Sequence, residues 1–261
     1  MRLAASFAAL AVLALFPLWV LACYALAPGW RFPELVPSHI DLRSFAYLAS
    51  QARPLAGHIA WSIMYSMATV ALTLLMCLSP AHHFARRDFA GKSLLEGVFL
   101  APALVPPMTF SMGVHYLFIR LGLVDTTPGV VLVLTVFSYP YMLRALTAGY
   151  ISIGEEYEMC AANLGANWLQ RTLRVDLPLL FPSIIAGGSV VFLVAFSEYF
   201  LVFLIGGGAV DSFTGYLVPF LTSSDRSMAA LLTLIFMAVP LTLFLLIEYV
   251  MTLLYRRKGM Y

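Results

Sequence analysis

The chain has 261 residues, of which 62% are hydrophobic and only 11% are charged, and its formal net charge is +2. A soluble globular domain carries about 25% charged residues. With a mean hydropathy of +0.91, this chain has too few charges to cover a water-exposed surface. The composition argues against a soluble enzyme, a disordered chain and a nucleic-acid-binding protein. Three cysteines, Cys23, Cys77 and Cys160, are far apart in sequence and predict neither a disulfide framework nor a zinc site.

Long apolar runs predict the segments that cross the membrane. A bilayer core of about 30 Å needs about 20 apolar residues in a helix, and inside lipid each backbone polar group needs a partner within the protein. The first run is longer than a signal-peptide core, so we expect an uncleaved anchor. We predict an all-α membrane protein with six transmembrane helices, at residues 3–27, 58–80, 93–119, 129–150, 183–206 and 228–254.

The distribution of positive charge predicts the orientation, because cytoplasmic loops are enriched in Lys and Arg. Ten of the 15 Lys and Arg residues fall in one set of connecting and terminal segments, and five fall in the other set. We expect the richer set to be cytoplasmic, which places both termini and residues 151–182 on that side. The ten are Arg2, Arg86, Arg87, Lys92, Arg144, Arg171, Arg174, Arg256, Arg257 and Lys258, and the five are Arg31, Arg43, Arg53, Arg120 and Arg226.

Three prolines interrupt the third predicted span, at Pro102, Pro106 and Pro107. Proline removes a backbone donor and bends or breaks a helix. Within a membrane such a break is tolerated where neighbouring helices or water satisfy the freed carbonyl groups. We therefore expect either a packed kink or a hinge that lines a pathway.

An acidic residue, Glu198, lies near the middle of the fifth predicted span, between Ser197 and Tyr199. A charged side chain at the centre of a bilayer costs about 2.5–3.5 kcal/mol on insertion scales. Three interpretations remain open for Glu198: it faces a translocation pathway, flanked by Ser197 and Tyr199, it makes a structural hydrogen bond to a neighbouring helix, or the predicted span is misplaced.

The sequence contains no recognisable catalytic or nucleotide-binding motif. The patterns GxSxG, HExxH and GxxxxGK[ST] are absent. His82 and His83 are adjacent, so on a helix they point in different directions. We predict no catalytic residue, no metal site and no cofactor on this chain.

The longest polar insert, GEEYEMCAANLGANWLQRTLRVDLPLLFP, covers residues 154–182. Its acidic residues precede a helix-prone run, as is typical of helix starts. Tyr157, Ala161, Leu164 and Trp168 follow helical spacing, and Gly165 interrupts the run. We predict an amphipathic helix–turn–helix, with a second helical run over 167–176 that ends at Leu177-Pro178. Such an element either lies on the lipid surface or docks a cytosolic partner.

This insert resembles the EAA loop of permease subunits from binding-protein-dependent ATP-binding-cassette (ABC) importers. In that pattern three residues separate Glu-Ala-Ala from a Gly, and nine residues, an Ile and any one residue separate the Gly from Leu-Pro. In this chain Gly165 and Leu177-Pro178 match in spacing, Ala161 matches the second alanine, and Val175 replaces an isoleucine. Met159 stands at the glutamate position, and Glu158 lies one residue earlier. The coupling residues that the resemblance implies are Glu158, Met159, Ala161, Gly165, Ala166, Leu177 and Pro178.

The resemblance also implies an architecture, a set of partners and a location. The fold would be that of a type I ABC importer permease in a bacterial inner membrane. Residues 1–57 would hold the first transmembrane helix and a periplasmic loop, and residues 58–261 a five-helix core with its coupling loop at 151–182. The partners would be two cytosolic ATPase subunits, a second permease subunit that is identical or similar, and a periplasmic binding protein. The ATPase subunits would hydrolyse the ATP. Membrane lipid would surround the permease subunits, and no nucleic acid would bind.

The substrate implied by the resemblance is a polyamine or another small ion or cofactor. The Ser197-Glu198-Tyr199 stretch, with Gly206-Gly207-Gly208 and Asp225-Arg226, is similar to the polyamine, iron, sulfate and thiamine branch of the family. The alternative is a stand-alone secondary transporter or channel, which Glu198 and the broken third span would also suit. An intramembrane enzyme has no supporting residue pattern.

Overall fold

The computed structural model of the chain describes residues 2–30, 34, 36–37 and 39–257. Predictions that involve Arg31, Pro33 and Lys258 lie outside these residues. The described residues form helices and no β-strand. The α-helices are α1 (Arg2–Leu26), α2 (Arg43–Ser50), α3 (Ala52–Arg86), α4 (Lys92–Leu100), α5 (Pro107–Leu121), α6 (Thr127–Ile153), α7 (Glu156–Asn163), α8 (Trp168–Arg171), α9 (Leu177–Ser197), α10 (Phe200–Gly206), α11 (Phe213–Thr222) and α12 (Arg226–Arg257).

The predicted all-α membrane architecture is confirmed. Four described helices are long and apolar enough to cross a membrane, and a bent pair that follows α3 makes a fifth crossing if it is counted as one span. The described apolar part of α1, Leu15–Leu26, is shorter than a full span. The prediction of six transmembrane helices is consistent with this arrangement. The four long spans are Ala52–Arg86, Thr127–Ile153, Trp168–Ser197 and Arg226–Tyr249.

The proline break expected in the third span is present. The helical stretch Lys92–Ala103 and the helix Pro107–Leu121 meet at an angle of 91°. Pro106 has extended backbone angles and precedes the first residue of α5, because a proline restricts its neighbour and lacks the amide that a continuous helix needs. The two halves therefore form a broken span or a re-entrant loop.

The predicted fifth span, 183–206, is wrong at both ends. One continuous apolar helix of 30 residues runs from Trp168 to Ser197, and a π-helical turn over Thr172–Asp176 joins α8 to α9. The expected stop at Leu177-Pro178 is absent because Pro178 lies in the first turn of α9. Pro178 directly follows the π-helical turn, where the backbone hydrogen bonds depart from the regular α-helical register, as the bond from the amide of Leu177 to the carbonyl of Thr172 shows.

The chain divides into two compact units, one formed by residues 1–59 and 213–261 and the other by residues 60–212. In the first unit α1 packs along α12. The hydroxyl oxygens of Ser44 and Ser227 are 2.8 Å apart, and Ser227 also donates to the carbonyl oxygen of Ala25 at 3.0 Å. The division of the chain at residue 57 stays a prediction.

In the second unit α6 and α9 form the most extensive helix pair. Glycines allow their backbones to approach closely. A Cβ on Gly149 would lie 2.8 Å from the Cβ of Ser183, and a Cβ on Gly187 would lie 2.8 Å from the Cβ of Ala145. Small residues at a contact are the usual route to tight helix packing in membranes.

An apolar cluster joins the ends of α3, α6 and α9. Phe84 from α3, Leu146 and Tyr150 from α6, and Leu180 from α9 are buried in it. Tyr150 immediately precedes the insert at 151–182 and Leu180 lies near its end, so the insert begins and ends on helices that pack against one another.

Candidate partner-docking segment

The segment between α6 and α9 contains two short helices separated by a glycine turn. The first helix, α7, ends at Asn163, and Gly165 follows with a φ of +82°. Only glycine adopts this left-handed conformation without strain. The second helix, α8, begins with a capping box: Asn167 Oδ1 accepts from Gln170 N at 2.8 Å, and Gln170 Oε1 accepts from Asn167 N at 3.0 Å. The predicted helix–turn–helix is therefore present.

Glu158 anchors α7 through its carboxylate. Arg86 donates from Nε at 3.0 Å and from Nη2 at 2.8 Å to Oε1 of Glu158, and His82 Nε2 lies 2.8 Å from Oε2. The side chains of Arg86 and Glu158 are each only 9% exposed. Arg171 adds a longer contact, with Nε 3.8 Å from Oε2. Hydrogen bonds between charged groups are stronger than neutral ones, so a buried ionic cluster attaches α7 to the end of α3.

The guanidinium of Arg86 also holds the end of α6. Its Nη1 donates to the carbonyl oxygen of Tyr150 at 2.8 Å, and its Nη2 donates to the carbonyl oxygen of Gly154. The guanidinium carbon lies 5.7 Å from the centre of the Tyr150 ring. The Tyr150 carbonyl also accepts from the amide of Gly154 at 3.3 Å, so Arg86 adds a second donor to it and supplies a donor to Gly154, the residue that follows α6. One side chain therefore connects α3, the end of α6 and α7.

The environment of Glu158 favours its charged form. Burial by itself raises the pKa of a carboxyl, but the hydrogen bonds and charges of His82 and Arg86 outweigh burial here, and the pKa of Glu158 is lowered from its ordinary value of 4.5. A second carboxylate, on Asp176, is buried nearby and is 4% exposed. Together with His82, Tyr150 and Arg171, Asp176 lines a small cavity of about 40 Å³ beside the cluster.

The opposite side of the segment is apolar and exposed. Six large apolar side chains on or beside α7 and α8 are between 54% and 84% exposed. Exposed apolar patches mark protein–protein or membrane interaction sites, and three of the six residues belong to the start of the apolar helix Trp168–Ser197. The patch is not one face of a single helix, because Gly165 divides it between α7 and α8. The six residues of this apolar patch are Tyr157, Met159, Leu164, Trp168, Leu169 and Leu173.

The implied coupling residues separate into two groups in the structure. Met159 and Gly165 are exposed, and Ala161 and Ala166 are half-buried, so these four lie on or beside the apolar patch. Glu158 is buried and points to α3 instead. Adjacent residues on a helix do not share a face, so Glu158 does not place a carboxylate where Met159 stands.

Leu177 and Pro178 lie apart from the apolar patch. Both are in the first turn of α9, after the π-helical turn. They therefore lie within the continuous helix from Trp168 to Ser197.

Glu198 is not in the middle of a helix. Helix α9 ends at Ser197, and Glu198 has extended backbone angles (φ −76°, ψ 113°) at the break before α10. Its Oε1 accepts from the amide of Leu201 at 3.2 Å, which satisfies one of the free amides at the start of α10. Placing the carboxylate at a helix start explains how the apolar stretch tolerates it.

The neighbours of Glu198 face different surroundings. Ser197 is exposed, and its hydroxyl donates to the carbonyl oxygen of Leu193 at 2.7 Å. Tyr199 is half-buried and stacks on Phe203, with ring centres 5.6 Å apart. The structure does not bring these three residues together with the cluster around Glu158.

Sequence reasoning missed the partners of Glu158. His82 and Arg86 are four residues apart, so they lie on the same face of α3, and Arg171 and Asp176 lie close to them. The only signal in the sequence is the spacing of a histidine and an arginine near a helix end, because Glu158 lies 72 residues after Arg86. Within the described residues, no group of three or more His, Cys, Asp and Glu side chains is arranged to hold a metal ion.

Comparison with known proteins places the chain among membrane transport components. A family model described as the binding-protein-dependent transport system inner membrane component matches residues 81–259. The molybdate/tungstate transport system permease protein WtpB of Thermococcus kodakarensis is 28% identical over 137 residues, which are 52% of this chain and 55% of that protein. The molybdenum transport system permease protein ModB of Mycobacterium bovis is 30% identical over 150 residues, which are 53% of this chain and 57% of that protein.

Similarity to a solved structure extends over nearly the whole chain. The structure is a bacterial ABC transporter involved in the import of the acidic polysaccharide alginate; the TM-score is 0.72, the identity is 16%, and 94% of each chain is covered. The chain spans about half the length of the curated relatives described above. The match to residues 81–259 is long enough to assign the family: the chain belongs to the binding-protein-dependent transport system inner membrane components.

Proposed function

We propose that this chain is the transmembrane permease subunit of an ABC importer and that the 151–182 segment docks a cytosolic ATPase subunit. The chain forms part of the translocation pathway, and ATP is hydrolysed on the separate partner chain. The observation that carries this proposal is the exposed apolar patch, which α7 and the first turns of the Trp168–Ser197 helix share, together with the buried ion pair of Glu158 and Arg86 that attaches α7 to α3. Family membership and the similar fold support it.

The assembly and orientation follow from the same proposal. Two ATPase subunits engage two permease subunits, of which this chain is one, and a periplasmic binding protein delivers the substrate. The protein lies in a bacterial inner membrane with both termini in the cytoplasm, because the segments on that side carry ten of the 15 Lys and Arg residues. The apolar patch then faces the compartment that contains the ATPase.

We propose a small oxyanion as the substrate class. The names of the two relatives reported above refer to molybdate, tungstate and molybdenum. A carboxylate in the middle of a span would suit a cation such as a polyamine, but Glu198 lies at a helix break and its carboxylate accepts from an amide at the start of α10. Uptake of labelled molybdate by membranes that contain the full complex, with competition by tungstate, sulfate and spermidine, tests this choice. If spermidine competes with molybdate and neither tungstate nor sulfate does, the oxyanion proposal is wrong.

The docking proposal is tested by co-purification from native membranes. We expect an ATPase to co-purify with the chain in near-equal amount. Leu164→Ser removes the most exposed residue of the patch, which is 84% exposed, and should weaken binding of the ATPase by about 1–2 kcal/mol, as interface anchors do. Leu42→Ser changes a residue that is 58% exposed and predicted to lie on the other side of the membrane. It serves as the matched control.

Two outcomes would overturn the docking proposal. If Leu164→Ser retains the ATPase as well as Leu42→Ser does, the patch does not dock it, and the segment lies on the lipid surface instead. If the purified chain transports substrate alone, driven by an ion gradient, the protein is a secondary transporter.

A further inference from the structure

We propose that Arg86 and His82 are positioning residues that make α7 a rigid extension of the transmembrane helices, so that movement of the docked ATPase reaches those helices instead of being absorbed in the 151–182 segment. This inference rests on the proposed docking of an ATPase. It assigns a transport role to two residues of α3, which lie outside the segment.

Helix α7 is flanked by two glycines with left-handed backbone angles. Gly154 precedes it with a φ of +76°, and Gly165 follows it with a φ of +82°. Neither glycine has an atom within 4 Å of the position that a Cβ would occupy. Because glycine has the greatest backbone freedom, these are the two points at which α7 can pivot relative to α6 and α8.

Apolar packing does little to hold α7 against such pivoting. Glu158 is its only buried residue in the structure as described, whereas Tyr157 and Met159 beside it are exposed. The attachment of α7 is therefore electrostatic and is concentrated in one carboxylate. That carboxylate accepts two hydrogen bonds from Arg86 and one from His82, all between 2.8 and 3.0 Å if the histidine is the donor.

The end of α3, to which Glu158 attaches α7, is itself held by further contacts. Arg86 also holds the carbonyl groups of Tyr150 and Gly154, and the adjacent Phe84 is buried with Leu146 and Leu180 in the cluster that joins α3, α6 and α9. A force applied to α7 thus has a direct route into three packed helices. Without the attachment, the same force would rotate α7 about Gly154 and Gly165.

The proposal predicts a separation between docking and coupling. Glu158→Gln keeps the shape of the side chain and leaves the exposed apolar patch unchanged, so the ATPase should still co-purify. The amount of substrate transported per ATP hydrolysed should fall about fivefold or more, which corresponds to the lower end of typical coupling energies. Arg86→Lys keeps the charge but loses the planar fork that serves Glu158 and the two carbonyl groups, and it should show a similar loss.

The chain provides matched controls one residue away. Arg87 and His83 are exposed, whereas Arg86 and His82 are half-buried at the cluster. Arg87→Lys and His83→Gln should leave the ratio of substrate to ATP unchanged, and His82→Gln should lower it. Hydrogen exchange at the amides of α7 should increase in Glu158→Gln and not in Arg87→Lys, which tests the loss of rigidity directly.

A variant that leaves one buried charge unpaired can fail to fold. The double variant Arg86→Gln with Glu158→Gln removes both charges, and its substrate-to-ATP ratio should fall at least as far as that of Glu158→Gln alone, because it also weakens the contacts to the carbonyl groups of Tyr150 and Gly154. A wild-type ratio in Glu158→Gln, in a complex that retains its ATPase, would overturn this inference and leave the docking proposal standing. Absence of any ATPase from the wild-type complex would instead overturn the docking proposal.

Discussion

The carboxylate of Asp125 occupies the space in which a side chain on Gly207 would begin. Asp125 lies in the turn between α5 and α6 with a φ of +61°, and Gly207 ends α10 with a φ of +52°. The backbone amide of Asp125 donates to the carbonyl oxygen of Ile205 at 2.7 Å. The two turns therefore fit together only if residue 207 has no side chain.

Gly207→Ala should destabilise the protein, because the new methyl group meets the carboxylate of Asp125 in a backbone conformation that alanine rarely adopts. We expect a loss of about 1–3 kcal/mol in the free energy of unfolding, measured by thermal unfolding in detergent. Gly113→Ala is the control, since Gly113 lies within α5 with open space at its Cβ position. Equal unfolding temperatures for the two variants would contradict this prediction.

The contact between α6 and α9 gives a second stability prediction. Gly149→Ala would place its Cβ 2.8 Å from the Cβ of Ser183 and 3.0 Å from Cδ2 of Leu180, and overpacking of this kind costs about 1–3 kcal/mol. Ser183→Gly should restore much of the loss in the double variant, because it removes the nearer obstruction. Unfolding in detergent measures the coupling between the two positions, and purely additive effects would argue against this contact.

The attachment of α7 to α3 through Glu158 should weaken at low pH. The pKa of Glu158 is lowered in the folded protein from its ordinary value of 4.5, so the ionised carboxylate contributes its full stabilisation above about pH 4.5. That stabilisation is lost as the pH falls through the folded pKa. Pepsin, which works in this range, should therefore cleave the 151–182 segment of the wild-type chain increasingly fast relative to other sites as the pH decreases.

Glu158→Gln provides the comparison for the pepsin experiment. This variant lacks the titrating group, so its segment should be cleaved readily at every pH in the range. The ratio of the two cleavage rates at each pH cancels the pH dependence of pepsin itself. A ratio that does not change with pH would show that ionisation of Glu158 does not hold α7 in place.

Two substitutions distinguish the helix-capping role of Glu198 from the role of its negative charge. Glu198→Gln keeps an oxygen that accepts from the amide of Leu201, whereas Glu198→Ala loses it and should destabilise the protein by about 0.5–2 kcal/mol, as lost helix caps do. We expect Glu198→Gln to retain the assembled complex and its stability but to transport substrate more slowly. Unchanged uptake by Glu198→Gln in reconstituted complexes would leave Glu198 with a capping role alone.

Local patterns in the sequence were sufficient for the class of fold. Runs of apolar residues long enough for a bilayer predicted an all-α membrane protein, since length and hydropathy are properties of the chain itself. Prolines predicted the break in the third span because they act on the adjacent backbone, and Gly165 predicted the turn between two short helices for the same reason. The spacing between Gly165 and Leu177-Pro178 indicated a resemblance to importer permeases. The family model that matches residues 81–259 then assigned the chain to the binding-protein-dependent transport components.

Sequence patterns were misleading where a helix boundary depends on its surroundings. Leu177-Pro178 was expected to end a helix, but the chain continues from Trp168 to Ser197 through a π-helical turn. Glu198 was expected within a span, but the helix breaks there and the carboxylate caps the next one. In both places the backbone geometry, a π-helical turn before Leu177 and a break at Glu198, is not represented in a linear pattern of hydropathy.

The sequence by itself therefore determined that this chain is a helical membrane protein with a polar insert that resembles a docking loop. Only the tertiary structure decided how that insert is held, because Glu158 and Arg86 are 72 residues apart and belong to helices that meet only after folding. The same folding turned Glu158 inward and left Met159 exposed. Burial, which makes the ionic contact strong, is a property of the packed helices and not of either residue.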